Sequence, residues 1–285
     1  MRLSVLSPRV MSQTQPNPSI FKSGDPVQFF DLRRRTHGSV LTPGGTTDVR
    51  GEVIEHDHVI GRANGCRVQS RRKRPFWAYV PTLPEFTLAM GRAATIIYPK
   101  DAAYIVMHGD IASGMTVVEG GAGSGALSMA LLRAVGPTGQ VITYDLRQES
   151  LNRARKNVEA FLGPQPNHDL QLGDIYRRIG VPTADRIVLD VPEPWQVLDG
   201  AAQVLVDGGI LVAYLPTILQ VHTHVNAVRE HPDYFVTETV EVLERKWHLA
   251  EQSARPMHQM VGHTGFICVS RRIGRPDASI AHGLA

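Results

Sequence analysis

Two rhythms of apolar residues divide the chain. Up to about Pro81 the apolar positions come in short alternating runs broken by Gly and Pro: Val53, then Val59 with Ile60, then Phe76, Ala78 and Val80, with the turn sequence TPGGTT at 42–47. These runs predict a small N-terminal β domain. Pro84 to Arg92 reads as a helix leading into ATIIYPKD at 94–101. Beyond it the period alternates between that of a buried strand and that of an amphipathic helix. MTVVE, QVITYD, LQLGD, RIVLD and GILVAYL are predicted strands, and ALSMALLRAV, ESLNRARKNVEAFLG stopped by Gly163, and a segment from about Trp195 to Val206 are predicted helices. Strand and helix in alternation mean βαβ units, hence an α/β fold with a mostly parallel sheet covered on both faces. TVEVLE and GFICVSRR, with no helix of comparable length between them, predict an antiparallel finish. The expected organisation is a disordered tail over 1–24, the β domain over 25–83, the α/β domain over 84–275 and a second tail over 276–285.

Composition removes several classes of function. No apolar window approaches the length needed to cross a bilayer, so no membrane partner is expected. Residues 1–24 lack Asp and Glu and carry Arg2, Arg9 and Lys22, but Pro8, Pro16 and Pro18 would interrupt an amphipathic targeting helix, so a tail on a cytoplasmic protein is expected. Cys66 and Cys268 are the only cysteines, which supply neither a disulfide framework nor a zinc site. The pairs His56 with His58 and His222 with His224 lack further ligands nearby, and no metal is expected. A formal net charge of +3 says little about partners. Its distribution says more: Arg33, Arg34 and Arg35 form one cluster and Arg71, Arg72, Lys73 and Arg74 another, each able to track phosphates.

The chemistry is concentrated in VVEGGAGSGA, residues 117–126. Gly121, Gly123 and Ala126 satisfy the dinucleotide fingerprint G-x-G-x-x-G/A, and Asp145 ends the next strand where a ribose-binding acid belongs. Glu119, Gly121, Gly123 and Gly125 can equally be taken as an acid followed by alternating glycines, which resembles motif I of class I S-adenosylmethionine-dependent methyltransferases. The turn alone leaves both open. LQLGDI then places Asp174 at a third strand end, and RIVLDVPEPW places Asp190 at a fourth, before a stiff Pro192-Glu193-Pro194-Trp195 turn. Strand ends at the carboxyl edge of such a sheet are where ligands bind. A carboxylate between a buried apolar run and two prolines is desolvated unless it has a partner or a task. A dehydrogenase has no need of all these acids.

Four segments carry a closer resemblance: IIYPKDA at 96–102, EGGAGSGA at 119–126, LDVPEPW at 189–195 and ARPMHQMVGHTGF at 254–266. With these, the chain from about Asp25 to Arg272 resembles the tRNA (adenine-58-N1)-methyltransferase family in its bacterial single-subunit form. The resemblance implies a class I methyltransferase domain with a Rossmann-like seven-stranded sheet behind the β domain, a homotetramer, tRNA as substrate and S-adenosyl-L-methionine as methyl donor. Carried over by position, cofactor contacts fall on Ile97, Ser124, Gly125, Ala126, Asp145, Asp174, Ile175 and Asp190, beside Glu119, Gly121 and Gly123 of the turn. Asp190 is implied as the catalytic carboxylate and Tyr98 as the wall against the target base, while the two basic clusters would hold tRNA. The departures are Gly120 and Ala122 where the family often has Ala and Thr, Asp145 where Glu is usual, and Val191. His258, His263 and Thr264 are expected to touch RNA or cap the last strand. The competing readings are a methyltransferase for proteins or small molecules, a nicotinamide-dependent oxidoreductase, and a non-catalytic RNA-binding subunit. The first has no use for DVPEPW or the arginine clusters, the second lacks a His, Tyr or Lys constellation, and the third would not keep both the glycine turn and Asp190 intact.

Overall fold

Short strands whose alternate side chains turn inward make the N-terminal unit of the computed structural model, which describes residues 20–32, 35–90, 96–250 and 252–274. They are β1 (Pro26–Asp31), β2 (Thr36–Val40), β3 (Thr46–Val49), β4 (Glu52–Glu55), β5 (Cys66–Gln69) and β6 (Pro75–Tyr79), followed by helix α1 (Leu83–Ala89). Four of them form an antiparallel sheet in the order β2-β1-β6-β5, and β3 and β4 form a hairpin. Val27, Phe29, Ile54, Val68, Phe76 and Ala78 fill its core. Val59 and Ile60 do not mark a strand. β4 stops at Glu55, His56–His58 makes one 3-10 turn, and the Val59 and Ile60 N–H groups both return to the His56 carbonyl; Val59 is core supplied by a turn. Helix α1 covers Leu83–Ala89, and the expected end at Arg92 lies outside the described residues. The predicted Arg33 and Arg34 lie outside the described residues.

The chain divides into this unit, with Ala160–Leu162 assigned to it, and a second that contains the large sheet. The second is built from α2 (Pro99–His108), β7 (Thr116–Gly120), α3 (Ala126–Val135), β8 (Gln140–Asp145), α4 (Gln148–Leu162), β9 (His168–Leu172), β10 (Ala184–Leu189), α5 (Leu198–Val204), β11 (Leu205–Leu215), α6 (Ile218–Glu230), β12 (Tyr234–Glu241), β13 (Trp247–Ala250), β14 (Ser253–Pro256) and β15 (Phe266–Arg272). The seven-stranded sheet runs β12-β15-β11-β10-β7-β8-β9, parallel from β9 to β11 and antiparallel where β15 lies between β11 and β12. The predicted parallel sheet and antiparallel finish are both present. The segment expected to be helical from Trp195 to Val206 is instead a 3-10 turn over Pro194–Val197 followed by α5, and Leu205 already pairs with Ala184. Helices α2 and α6 and the hairpin of β13 and β14 were not anticipated by the pattern of residues.

Register sets the height of the strand ends. Gly120 lies opposite both Tyr144 and Leu189, Leu189 opposite Ala213, and Asp145 opposite Leu172, so the carboxyl ends of the parallel strands finish level along one edge. Phe266, the first residue of β15, pairs with Leu215 and Glu241 and brings the preceding loop to that edge. No described helix is long and apolar enough to cross a membrane.

Candidate active site

The glycine turn leaves β7 at this edge. Gly121 has φ of 95°, and its N–H donates to the Tyr144 carbonyl at 2.8 Å. The Asp190 N–H donates to the Gly120 carbonyl at 2.8 Å, and a Cβ on Gly121 would stand 2.3 Å from the Asp190 carbonyl oxygen, so position 121 admits only glycine. Gly123 differs: its φ is 51° and a Cβ there would meet nothing within 4 Å. Bare backbone therefore borders open space, which is the cradle that a nucleoside-linked amino acid needs for close approach. Asp145 braces the turn, its Oδ2 accepting from Ala122 N at 3.1 Å and its Oδ1 from Arg147 N at 2.8 Å. A carboxylate has about four acceptor sites, so Asp145 keeps capacity for hydroxyl groups. Ser124 is buried with its carbonyl accepting from Asn157 Nδ2, Gly125 caps α3, and Ala126 is the first residue of that helix.

Glu119 stands behind the turn. It is 1% exposed, and its Oε2 accepts 2.6 Å hydrogen bonds from Ser128 Oγ and Thr143 Oγ1. Burial pushes its carboxyl up to about 7 against the pull of those two hydroxyls, and the nearby charges of Asp190 and Asp145 add to the rise. Thr143 spends its proton on Glu119, so at the 3.0 Å contact between Thr143 Oγ1 and His168 Nε2 the imidazole is the donor. Burial, helped by Arg155, holds that ring neutral with a pKa near 4.

The remaining acids differ in how far they are committed. Asp174 closes its own turn, with Oδ1 accepting from Tyr176 N at 3.0 Å and Oδ2 3.4 Å from Arg177 Nε. Ile175 beside it is buried and its Cδ1 lies 2.9 Å from where a Cβ on Gly120 would be. Asp190 has no side-chain hydrogen bond or ion pair among the described residues. Solvent reaches it, yet the surrounding protein desolvates the carboxyl enough to lift it to about 6. The turn after it is fastened on both sides: Glu193 N donates to Tyr176 Oη at 3.2 Å and Gln220 Nε2 to the Pro192 carbonyl at 2.9 Å. The backbone of Asp190 is thus fixed while its oxygens stay uncommitted.

Two of the motif segments meet through a buried polar knot. Lys100 Nζ donates to Asp101 Oδ1 at 2.7 Å, to the Val242 carbonyl at 2.7 Å and to Thr264 Oγ1 at 2.5 Å. Thr264 in turn donates to Asp101 Oδ2 at 2.7 Å, and Tyr214 Oη lies 3.5 Å from the same oxygen. Asp101 is fully buried, and its N–H, with that of Ala102, returns to the Tyr98 carbonyl. The knot therefore fixes the start of α2, with Tyr98 half-buried at its N-cap and Ile97 buried before it, against the loop ahead of β15. His263 lies between Glu241 Oε1 at 2.6 Å and the Pro216 carbonyl at 2.7 Å; both partners are acceptors, which an imidazolium satisfies, and both raise its pKa. Lys100, Asp101 and Tyr214 were missed by sequence reasoning, although an adjacent Lys–Asp pair in the apolar stretch IIYPKDA was a signal for buried charge.

The predicted basic clusters are more neutralised than a count of arginines suggests. Arg35 pairs with Asp31, Arg71 Nε lies 3.0 Å from Glu55 Oε1, and Arg74 Nε lies 3.0 Å from Glu52 Oε1. Arg72 and Lys73 are exposed and have no carboxylate within salt-bridge reach among the described residues. The described residues contain no group of three His, Cys, Asp or Glu that could hold a metal ion.

Residues 76–254 match the family model described as tRNA methyltransferase complex GCD14 subunit, and residues 20–68 match the one described as TrmI-like N-terminal. The tRNA (adenine(58)-N(1))-methyltransferase TrmI of Thermus thermophilus is 36% identical over 248 residues, 87% of this chain and 96% of that one. Among solved structures, a tRNA (m1A58) methyltransferase TrmI from Aquifex aeolicus superposes with a TM-score of 0.78 at 30% identity, covering 90% of this chain and 100% of the other. The structure of a SAM-dependent O-methyltransferase from Thermotoga maritima superposes with a TM-score of 0.85 at 27% identity, covering 91% of this chain and 97% of the other.

Proposed function

Because the chain belongs to the tRNA methyltransferase complex GCD14 subunit family, we propose that this sheet edge passes a methyl group from S-adenosylmethionine to N1 of adenine 58 in the tRNA T-loop. The observation that carries the mechanism is Asp190, a carboxylate held by its backbone, unpaired at its oxygens and lifted to about 6. The open backbone at Gly123 fits the cofactor, whose sulfonium supplies an electrophilic methyl group. In this reading Asp145 takes the ribose hydroxyls, Asp174 and Ile175 border the adenine, and Ile97, Ser124, Gly125 and Ala126 complete the wall. Glu119 acts from behind, bracing the turn through α3 and β8.

Adenine N1 is shielded in a stacked or paired base, so the nucleotide must be extruded and read on its Watson–Crick edge. N1 is a lone-pair nucleophile, unprotonated at neutral pH, and needs no base to create it. Asp190, ionised at pH 7, accepts a hydrogen bond from the exocyclic amino group, drives electron density toward N1 and offsets the positive charge that develops on the ring. It can afterwards take a proton from that amino group. Tyr98, half-buried at the start of α2, stacks on the extruded base. Arg72 and Lys73, with the paired arginines around them, would meet tRNA phosphates.

The same reading makes the protein a homotetramer. In support, β13 and β14 pair with no other strand among the described residues, and Trp247 and Leu249 are 58% and 69% exposed there.

The test is methyl transfer from labelled S-adenosylmethionine to unmodified tRNA, with the product mapped by nuclease digestion and mass spectrometry. The wild type should mark adenine 58, and the map also reports whether a neighbouring adenine is marked. Asp190→Ala should lose about a hundredfold to ten-thousandfold in rate while cofactor affinity stays within a few fold. Full activity of that variant would falsify the role of Asp190.

A further inference from the structure

The N-terminal unit contains a groove of about 810 Å³ whose lining, among the described residues, includes Glu55, His58, Arg62, Arg67, Gln69 and Arg71, with Val68 its one apolar side chain. Glu55 is the one carboxylate among the described residues that line it, and that group is shared, with Arg71 Nε at 3.0 Å and His58 Nε2 at 3.4 Å. Arg62 and Arg67 are exposed, and among the described residues no carboxylate lies within salt-bridge reach of either. The Arg67 guanidinium sits 6.0 Å from the centroid of the Trp77 ring. A guanidinium laid over an aromatic face loses part of its freedom before any ligand arrives and still offers its N–H edge. Arg62 leaves the turn that follows the 3-10 helix, and Arg67 leaves β5, which among the described residues pairs with β6 alone and is an edge of its sheet.

We infer that Arg62 and Arg67 form a phosphate-binding groove, within the N-terminal unit, that holds the sugar-phosphate backbone of tRNA. The inference rests on the tRNA reading above. Two planar forks with no carboxylate partner among the described residues match phosphate oxygens in two-point geometry, and the lining sets Arg62, Arg67 and Arg71 against the one carboxylate of Glu55, a balance that favours an anion. Its volume and open side suit a length of backbone passing through. The competing account is that cations on an edge strand deter pairing with another sheet. Arginines at 62 and 67 come from separate elements and do not form a run in sequence, unlike the contiguous 71–74 cluster.

The experiment compares the full-length wild type with Arg62→Ala/Arg67→Ala and Arg62→Glu/Arg67→Glu, using unmodified tRNA transcript at several salt concentrations. Melting temperature and cofactor binding report that each variant is folded. The expected result is a KM for tRNA raised about tenfold or more, greater for the Glu pair, with kcat at saturating tRNA within twofold of wild type. The slope of log affinity against log salt should fall by about one to two, as for one or two lost phosphate contacts. Unchanged tRNA affinity and slope would overturn the inference, as would variants that only self-associate more, which is the outcome of edge protection. The two readings fail separately. A wild type that binds tRNA through these arginines yet leaves adenine 58 unmethylated sinks the methyl-transfer reading alone, whereas normal methylation with unimpaired variants sinks only the groove.

Discussion

At the scale of single residues the proposed methyl transfer depends on keeping one carboxylate unpaired and ionised. An ordinary aspartate is ionised far below neutrality, but desolvation lifts Asp190 to about 6, so its charged form is lost as pH falls through that value. The acceptor role proposed for it needs the charged form. Turnover at saturating tRNA and cofactor should therefore rise with pH along a limb centred near 6 and level off above pH 7, and Asp190→Asn should remove both the limb and the activity. A wild-type profile flat from pH 5 to 8 with an active Asn variant would argue against it. Asp145, Asp174 and Asp190 were visible in the sequence because each ends an apolar strand run, and a strand end in a parallel sheet has a predictable place. The orientation of Glu119 was not visible, because its partners Ser128 and Thr143 come from other elements. Nor was the knot around Asp101, whose partner Thr264 lies 163 positions away along the chain.

At the scale of elements, that knot ties the start of α2 to the loop ahead of β15, and so sets where Tyr98 and His263 can stand. Thr264 is the joint, since its hydroxyl accepts from Lys100 and donates to Asp101. Thr264→Val keeps the shape and leaves two buried polar groups short of a partner, a loss of about 1–3 kcal/mol. We expect it to lower kcat/KM for tRNA at least tenfold while cofactor affinity holds, and Thr264→Ser to restore most of the loss. Equal activity of the Val variant would mean the knot only supports the fold. Parallel strands and α4 were legible because their apolar periods are uninterrupted; Leu151, Ala154 and Val158 are buried down one face of α4. Helix α6 was not, because its buried face reads Val221, His224, Val228 and a histidine breaks the stripe. His224 is fully buried with neither ring nitrogen hydrogen-bonded among the described residues. The hairpin of β13 and β14 is exposed or half-exposed throughout, so no alternation marks it.

At the scale of the whole molecule, that hairpin concentrates apolar surface: besides Trp247 and Leu249, Leu243, Met257, Met260 and Val261 are all exposed nearby in sequence. Patches of this kind on a folded chain commonly mark an association surface. Light scattering should give the wild type the mass of four chains, and Trp247→Asp with Leu249→Asp should yield smaller species. A monomeric wild type with full activity would remove the tetramer from the proposal. A different consequence follows from the backbone shared by Gly120, Gly121 and Asp190. The glycine turn and Asp190 are welded by one hydrogen bond and one contact that tolerates no Cβ. Neither can be moved to suit a new nucleotide without shifting the other. A descendant of this protein that came to modify a different base would have to change the loops that frame the opening, and would inherit the weld intact.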